Sequence, residues 1–291
     1  MEMTSSFFER LAERCKAKNS LLCVGLDPHI SELPEPTAEA AYKFCENLVE
    51  LTKDVAVAYK PNAAFFEQFG AAGWQQLERL IAHIKTSTKK TALVVGQCPR
   101  FGRDAVWQIL DAKRGDIGST AEAYAKSAYE VLGADSITVN PYMGKDSMQP
   151  FLAADQTKGV WALCKTSNKG SDDIQTCTLG DGRPVYLHVA QVALEATERG
   201  PDSVGLVVGA TDIDAMRRLR QALPSGVWIL APGIGAQGGD LEAAVEAGLD
   251  LRTGMGILFP VSRGISRAAD PRAAATELNR LINEARARVM P

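Results

Sequence analysis

Residues Ile109–Thr120 read ILDAKRGDIGST. With the residues before it, the stretch completes a short β-rich run, VWQILDAK, over 106–113. The segment 118–133, GSTAEAYAKSAYEVLG, has helical spacing. A strand therefore feeds a helix, and Asp111, Lys113, Arg114 and Asp116 crowd the junction. Charges at the end of a core strand are costly unless they are paired. The junction is either an ion network that closes one end of the structure or a site that needs a fixed field.

The same strand-then-helix unit recurs on both sides. Upstream, strands are expected at 21–27 and 55–61, with helices at 36–55 and 73–87. Downstream, strands are expected at 136–141, 159–167, 203–210 and 226–233, with a weaker one within 249–259. Helical patterns at 184–200, 212–223, 239–248 and about 271–288 alternate with them. Eight short runs, apolar on both sides and joined by helices, imply parallel pairing with both faces covered. A chain of 291 residues with no low-complexity linker suits one α/β domain over 1–291, a single (β/α)8 TIM barrel. The extra apolar run at 91–105, TALVVGQCPRFGRDA, is expected to be an insertion on the barrel rim.

Composition narrows the function classes. Net charge is −3 with both signs mixed, so neither a nucleic-acid surface nor a basic partner is indicated. The six cysteines form no C-x-x-C pair, and several lie in apolar runs, as free thiols of a reducing cytoplasm do. The first twenty residues read as an amphipathic helix without a signal-peptide core, and no apolar run is long enough to span a membrane. His29, His83 and His188 are scattered, so neither a metal cluster nor a histidine-based triad is expected.

Barrel active sites form at the C-terminal ends of strands. The polar residues there are Asp27, Lys60, Asn62, Asp111, Lys113, Asp116, Asn140, Lys165, Thr166 and Ser167, followed by the glycine-rich stretch 232–239. Asp111 and Lys113 are two apart and share a face in a regular strand. Lys60 ends the preceding main strand and reaches the same spot. Such alternating ammonium and carboxylate groups stay charged despite burial and suit placing a proton donor where negative charge develops. Simpler readings exist for some of these residues. Asp116 fits a helix N-cap, Ser119 and Glu122 fit an S-x-x-E capping box, and Asp27 fits an Asp-Pro turn. The loop APGIGAQGGD (231–240) offers backbone amides and Gln237 to a phosphate, and Arg263 in SRGI strengthens that reading.

GLDP (25–28), YKPNAAFFEQFG (59–70), LDAKRGDIGSTA (110–121), TVNPYMGKDS (138–147), KTSN (165–168), VVGAT (207–211), APGIGAQGGD (231–240) and SRGI (262–265) occur in this order. Together they closely resemble the orotidine 5′-monophosphate decarboxylases, in the bacterial subgroup with the longer chain. The resemblance runs over nearly the whole length. It departs at Lys169, where the subgroup usually has proline, and at the strand-eight sequence LRTGMGILFPV.

The resemblance implies a homodimeric barrel of pyrimidine biosynthesis that converts orotidine 5′-monophosphate to UMP and CO2 with neither cofactor nor metal. Lys60, Asp111, Lys113 and Asp116 match the family's charged tetrad, with Asp116 donated across the dimer interface and Lys113 protonating C6. It implies that Asp27 and Lys60 face the ribose and that Thr120 reaches it from the partner subunit. Ser167 matches the residue that reads the pyrimidine edge. Pro232, Gln237 and Arg263 fall in the substrate set, with Gln237 and Arg263 on the phosphate and the 233–239 loop as a lid. Two alternatives stand beside this. One is a metal-dependent superfamily member of the hexulose-phosphate synthase or ketogulonate-phosphate decarboxylase type. The other is a non-catalytic nucleotide-binding barrel.

Overall fold

The computed structural model describes residues 5–87, 106–197, 203–235 and 238–290. The expected rim insertion at 91–105 lies outside the described residues, as does Gln237. Eight parallel strands close into a barrel in sequence order: β1 (Leu22–Leu26), β2 (Ala58–Pro61), β3 (Trp107–Arg114), β4 (Ser136–Val139), β5 (Gly159–Lys165), β6 (Val204–Val208), β7 (Ile229–Leu230) and β8 (Ile257–Val261). β8 pairs back onto β1 through Leu22–Phe259, Cys23–Pro260 and Val24–Val261.

Burial explains why these runs become strands. Every residue of β1, β4, β6 and β8 is buried, and apart from the two hydroxyl residues of β4 these runs are free of polar side chains. The helices between them bury one stripe each. In Ala38–Thr52 the buried residues Ala41, Cys45, Leu48, Val49 and Thr52 recur at helical spacing. Short polar side chains start these helices: Thr37, Asp212, Asp240 and Asp270 each accept a backbone N–H from the first turn.

The N-terminal helix Phe7–Lys18 opens on a capping box between Ser6 and Glu9 and closes the bottom of the barrel. Phe7 meets Phe8, Trp107 and Trp161 edge-on, with ring centroids 4.9, 5.4 and 6.4 Å away. Space for this plug depends on Gly159, where a Cβ would sit 2.3 Å from the Phe7 ring. The cavity of the barrel opens at the other, C-terminal end. None of the described helices is long and apolar enough to cross a membrane.

Two expected strands are shorter than their apolar runs. The ladder of β7 covers only Ile229–Leu230, bracketed by Gly226 at φ 94° and by Pro232, which has no N–H to donate. β8 begins at Ile257 rather than near 249, because Asp250 folds the preceding residues into a turn. Its carboxylate accepts from Arg252 N, Gly226 N and Ser225 Oγ, and its backbone pairs with Met255.

Candidate active site

A cavity of about 500 Å³ opens at the C-terminal end of the barrel. Asp27, Lys60, Asp111, Lys113, Ser167, Pro232 and Arg263 all line it, so seven of the ten expected site residues converge on one chain. Gln237 is outside the described residues. Asp116 and Thr120 do not line the cavity: Asp116 is half-buried and accepts Ile117 N–H at 2.8 Å, and Thr120 is exposed.

Asp111 is the centre of the charge cluster. It is buried, and each carboxylate oxygen takes one ammonium: Oδ2 from Lys60 at 2.5 Å and Oδ1 from Lys113 at 2.6 Å. Burial alone would raise the carboxyl pKa, but Lys60 and Lys113 outweigh it and hold Asp111 well below the usual carboxylate range. Burial likewise works against the Lys60 charge, and Asp111 with Asp27 overcomes it, holding the ammonium above the ordinary lysine range. Both groups therefore stay ionised through neutral pH.

The contact between Asp111 and Lys113 does not arise from regular strand alternation, as the spacing suggested. The β3–β4 register breaks between Leu110 and Arg114, and Lys113 adopts φ 48°, rare for a residue with a side chain. Thr138 on β4 stabilises this bulge. Its Oγ1 accepts both Ala112 N–H at 3.1 Å and Lys113 N–H at 2.9 Å, and donates to Asp111 Oδ1 at 3.2 Å. One buried hydroxyl thus stands in for a strand carbonyl and orients the carboxylate. Sequence reasoning missed Thr138. The signal is weak: Thr138 is one of two hydroxyl residues in the short buried run SITV.

The simpler readings of neighbouring residues are corrected or narrowed. The helix Gly118–Lys126 starts at Gly118 with Ile117 as its N-cap and no side-chain cap, so the expected Ser119–Glu122 capping box does not form and Asp116 is not the N-cap. In the Asp27-Pro28 turn it is the Asp27 carbonyl that accepts His29 N–H, at 2.9 Å. The side-chain Oδ1 is buried without a hydrogen-bond partner. Ser262 Oγ, also buried on the cavity lining, is in the same position. Each buried oxygen of this kind costs about 1–3 kcal/mol until it is satisfied.

The 233–239 loop is closed at its neck by a bridge between Ile234 and Gly239 and by Gly239 N–H donating to Gly233 O at 3.1 Å. A Cβ at Gly239 would lie 2.8 Å from that carbonyl, so the close approach requires glycine there. Gly233 and Ile234 face the cavity together with Arg263.

A family model described as Orotidine 5'-phosphate decarboxylase / HUMPS family matches residues 20–278. The chain belongs to the orotidine 5′-phosphate decarboxylase family. It is 47% identical to the orotidine 5′-phosphate decarboxylase of Roseiflexus castenholzii over 96% of this chain and 98% of that one. Identity to the Bordetella pertussis family member is 40%, over 96% and 97% of the two chains. Among solved structures, Leishmania donovani OMP decarboxylase superposes with a TM-score of 0.81 at 48% identity, covering 97% of this chain and 99% of that one. Leishmania donovani UMP synthase aligns with a TM-score of 0.83 at 49% identity, and there this chain accounts for 56% of the partner's length. Membership of the family accords with a cavity built around the Lys60–Asp111–Lys113 cluster.

Proposed function

We infer that this chain decarboxylates orotidine 5′-monophosphate to UMP and CO2, with Lys113 as the proton donor. The observation that carries the reading is the Asp111 carboxylate gripped by two ammonium groups inside the cavity. When the C6–carboxyl bond breaks, its electron pair stays in an in-plane orbital that the pyrimidine π system cannot delocalise. A cation fixed beside C6 stabilises that pair, and the Lys113 ammonium transfers a proton to it as CO2 departs. The lysine then regains a proton from solvent. Asp111 holds Lys113 in place and repels the substrate carboxylate, an unfavourable contact relieved on the way to the transition state.

The remaining residues divide by position. Arg263, Pro232, Gln237 and the 233–239 loop serve the phosphate end. Asp27, with its unsatisfied buried oxygen, accepts from a ribose hydroxyl. Ser167 reads the pyrimidine edge. Phosphate contacts that close the loop use remote binding energy to assemble the site. A metal-bound enediolate mechanism fits the site less well, since both Asp111 oxygens are already taken by lysines. The test is loss of orotidine monophosphate absorbance with purified protein held in EDTA. Turnover should persist undiminished. Turnover that appears only on adding a divalent cation would overturn the reading.

The active unit is a homodimer in which Asp116 and Thr120 complete the partner's site. Large apolar side chains are exposed beside them: Ile117 at 55%, Tyr142 at 83% and Met143 at 44%. Met143 lies against Gly115, which joins the two patches. A symmetric interface over this rim would bury them and carry Asp116 towards Lys113. Lys113→Ala and Asp116→Ala proteins should each be inactive alone, yet mixed and allowed to exchange they should recover about a quarter of wild-type activity. No recovery in a mixture shown by mass to contain heterodimers would rule out donation across the interface.

A further inference from the structure

Behind the wall of the cavity lies a lysine that does not line it. The Lys165 side chain, at the end of β5, is 4% exposed. Its ammonium donates to Ser171 Oγ at 2.7 Å and Asp172 Oδ1 at 3.1 Å, and lies 3.4 Å from Asp212 Oδ2. Ser171 and Asp172 belong to the 3-10 turn Lys169–Asp173, whereas Asp212 caps the helix Ile213–Ala222 through Ala215 N–H at 3.0 Å. One buried charge thus ties together a strand, a loop and a helix start.

The loop it holds is the one that carries Ser167. Residues 166–175 are cross-linked internally: Thr166 N–H donates to Gln175 Oε1 at 2.8 Å, Gln175 Nε2 donates to Thr166 Oγ1 at 2.9 Å, and Ser171 N–H donates to Asn168 O at 3.0 Å. Lys165 ties this braced loop to the barrel from one side, and Tyr186 N–H donating to Gln175 O at 2.9 Å ties its far end to the next helix. On the other flank Gly209 N–H donates to Lys165 O at 2.7 Å, and a Cβ at Gly209 would stand 2.9 Å from Ser167 Cα. Thr166, Ser167 and Asn168 face the cavity, while Arg263 lines it from the end of β8.

We propose that Lys165 is a positioning residue for the pyrimidine: through Ser171, Asp172 and Asp212 it fixes where the Ser167 loop meets the base, without touching substrate. The inference rests on the reading of the cavity as the nucleotide site. Displacing the loop weakens recognition of the base and leaves recognition of the phosphate intact.

Lys165→Met keeps the length and removes the charge. Its KM for orotidine monophosphate and its Kd for UMP should each rise at least ~10-fold, with kcat changed far less. Inhibition by ribose 5-phosphate, which has no base, should be unchanged. Equal weakening of UMP and ribose 5-phosphate, or UMP binding as in the wild type, would overturn the proposal. Should Lys165→Met fail to fold, Asp172→Asn decides, because that side chain is largely exposed. A smaller rise confined to UMP supports the proposal, and no selective rise rejects it. If the wild-type protein does not turn over orotidine monophosphate, the site reading itself falls. An active wild type with unselective variants sinks the positioning role alone.

Discussion

Replacing Lys113 with alanine should lower kcat for orotidine 5′-monophosphate by at least ~10⁴-fold while the Kd for UMP stays within about tenfold. The asymmetry follows from what the ammonium does. In the product, C6 carries hydrogen and no charge, so the lysine has little to bind. During decarboxylation the same atom carries an electron pair, and in the proposed mechanism the ammonium both stabilises and protonates it. The backbone at this residue is unusual: φ 48° at Lys113 is a conformation that costs roughly 1–2 kcal/mol for a residue with a Cβ. Two N–H bonds to Thr138 Oγ1 offset that cost. Stopped-assay turnover and calorimetric UMP binding on the same preparation separate the two effects. Loss of UMP affinity with turnover retained would contradict the role assigned to Lys113.

Asp111→Asn should be the next most damaging change, and it should affect stability as well. Removing one partner of a buried pair takes from Lys60 its directly bonded counter-charge and leaves only the pull of Asp27, at a cost of about 3–5 kcal/mol, or about 5–15 °C in Tm. Turnover should fall by at least ~10³-fold, because Lys113 loses its anchor and the substrate carboxylate loses its repulsion. The pH dependence is distinctive. In the wild type Lys60 is held above its ordinary value, so its contribution is complete below about pH 10.5 and is lost only as pH rises beyond that. In the variant burial acts without that counter-charge, the Lys60 pKa falls, and neutralising the amine restores stability as pH rises. The Tm deficit should therefore narrow between pH 7 and pH 10. On the acid side the Asp111 carboxylate is held low, so the wild-type advantage should persist through mildly acidic pH and fade only as that carboxylate protonates. Thermal melts of both proteins across this range check the sign. A deficit that widens towards pH 10 would show that Lys60 is not left charged without its bonded counter-charge.

Much of the barrel was legible because strands covered on both faces produce unbroken apolar runs, and the polar residues that end those runs mark one rim. That logic puts Asp27, Lys60, Asp111, Lys113 and Ser167 on the rim, whereas Arg263 came from the usual phosphate grip after the last strands and Pro232 only from the family resemblance. Local patterns were less dependable. Leu249, Leu251 and Met255 imitate a strand, yet Asp250 beside them captures backbone donors and makes a turn. Ser119 and Glu122 match a capping box, but the helix begins at Gly118 and leaves Ser119 inside its first turn. The meeting of Asp111 and Lys113 was foreseen for a regular strand and is achieved by a bulge, which depends on Thr138 from a neighbouring strand. The Lys165 network was equally hidden, since its partners lie on a loop and on a helix cap that only the closed barrel brings together.

The central claim is that an ammonium, fixed by a buried carboxylate, stands beside the reacting carbon. In a single chain the Lys113 side chain is 53% exposed, so the claim requires nucleotide and partner subunit to enclose it. A crystal structure of the dimer with UMP measures this directly. The account predicts Lys113 Nζ between Asp111 and the partner's Asp116, within about 3.5 Å of C6. A Lys113 nitrogen turned to bulk solvent, away from the ring, would contradict it.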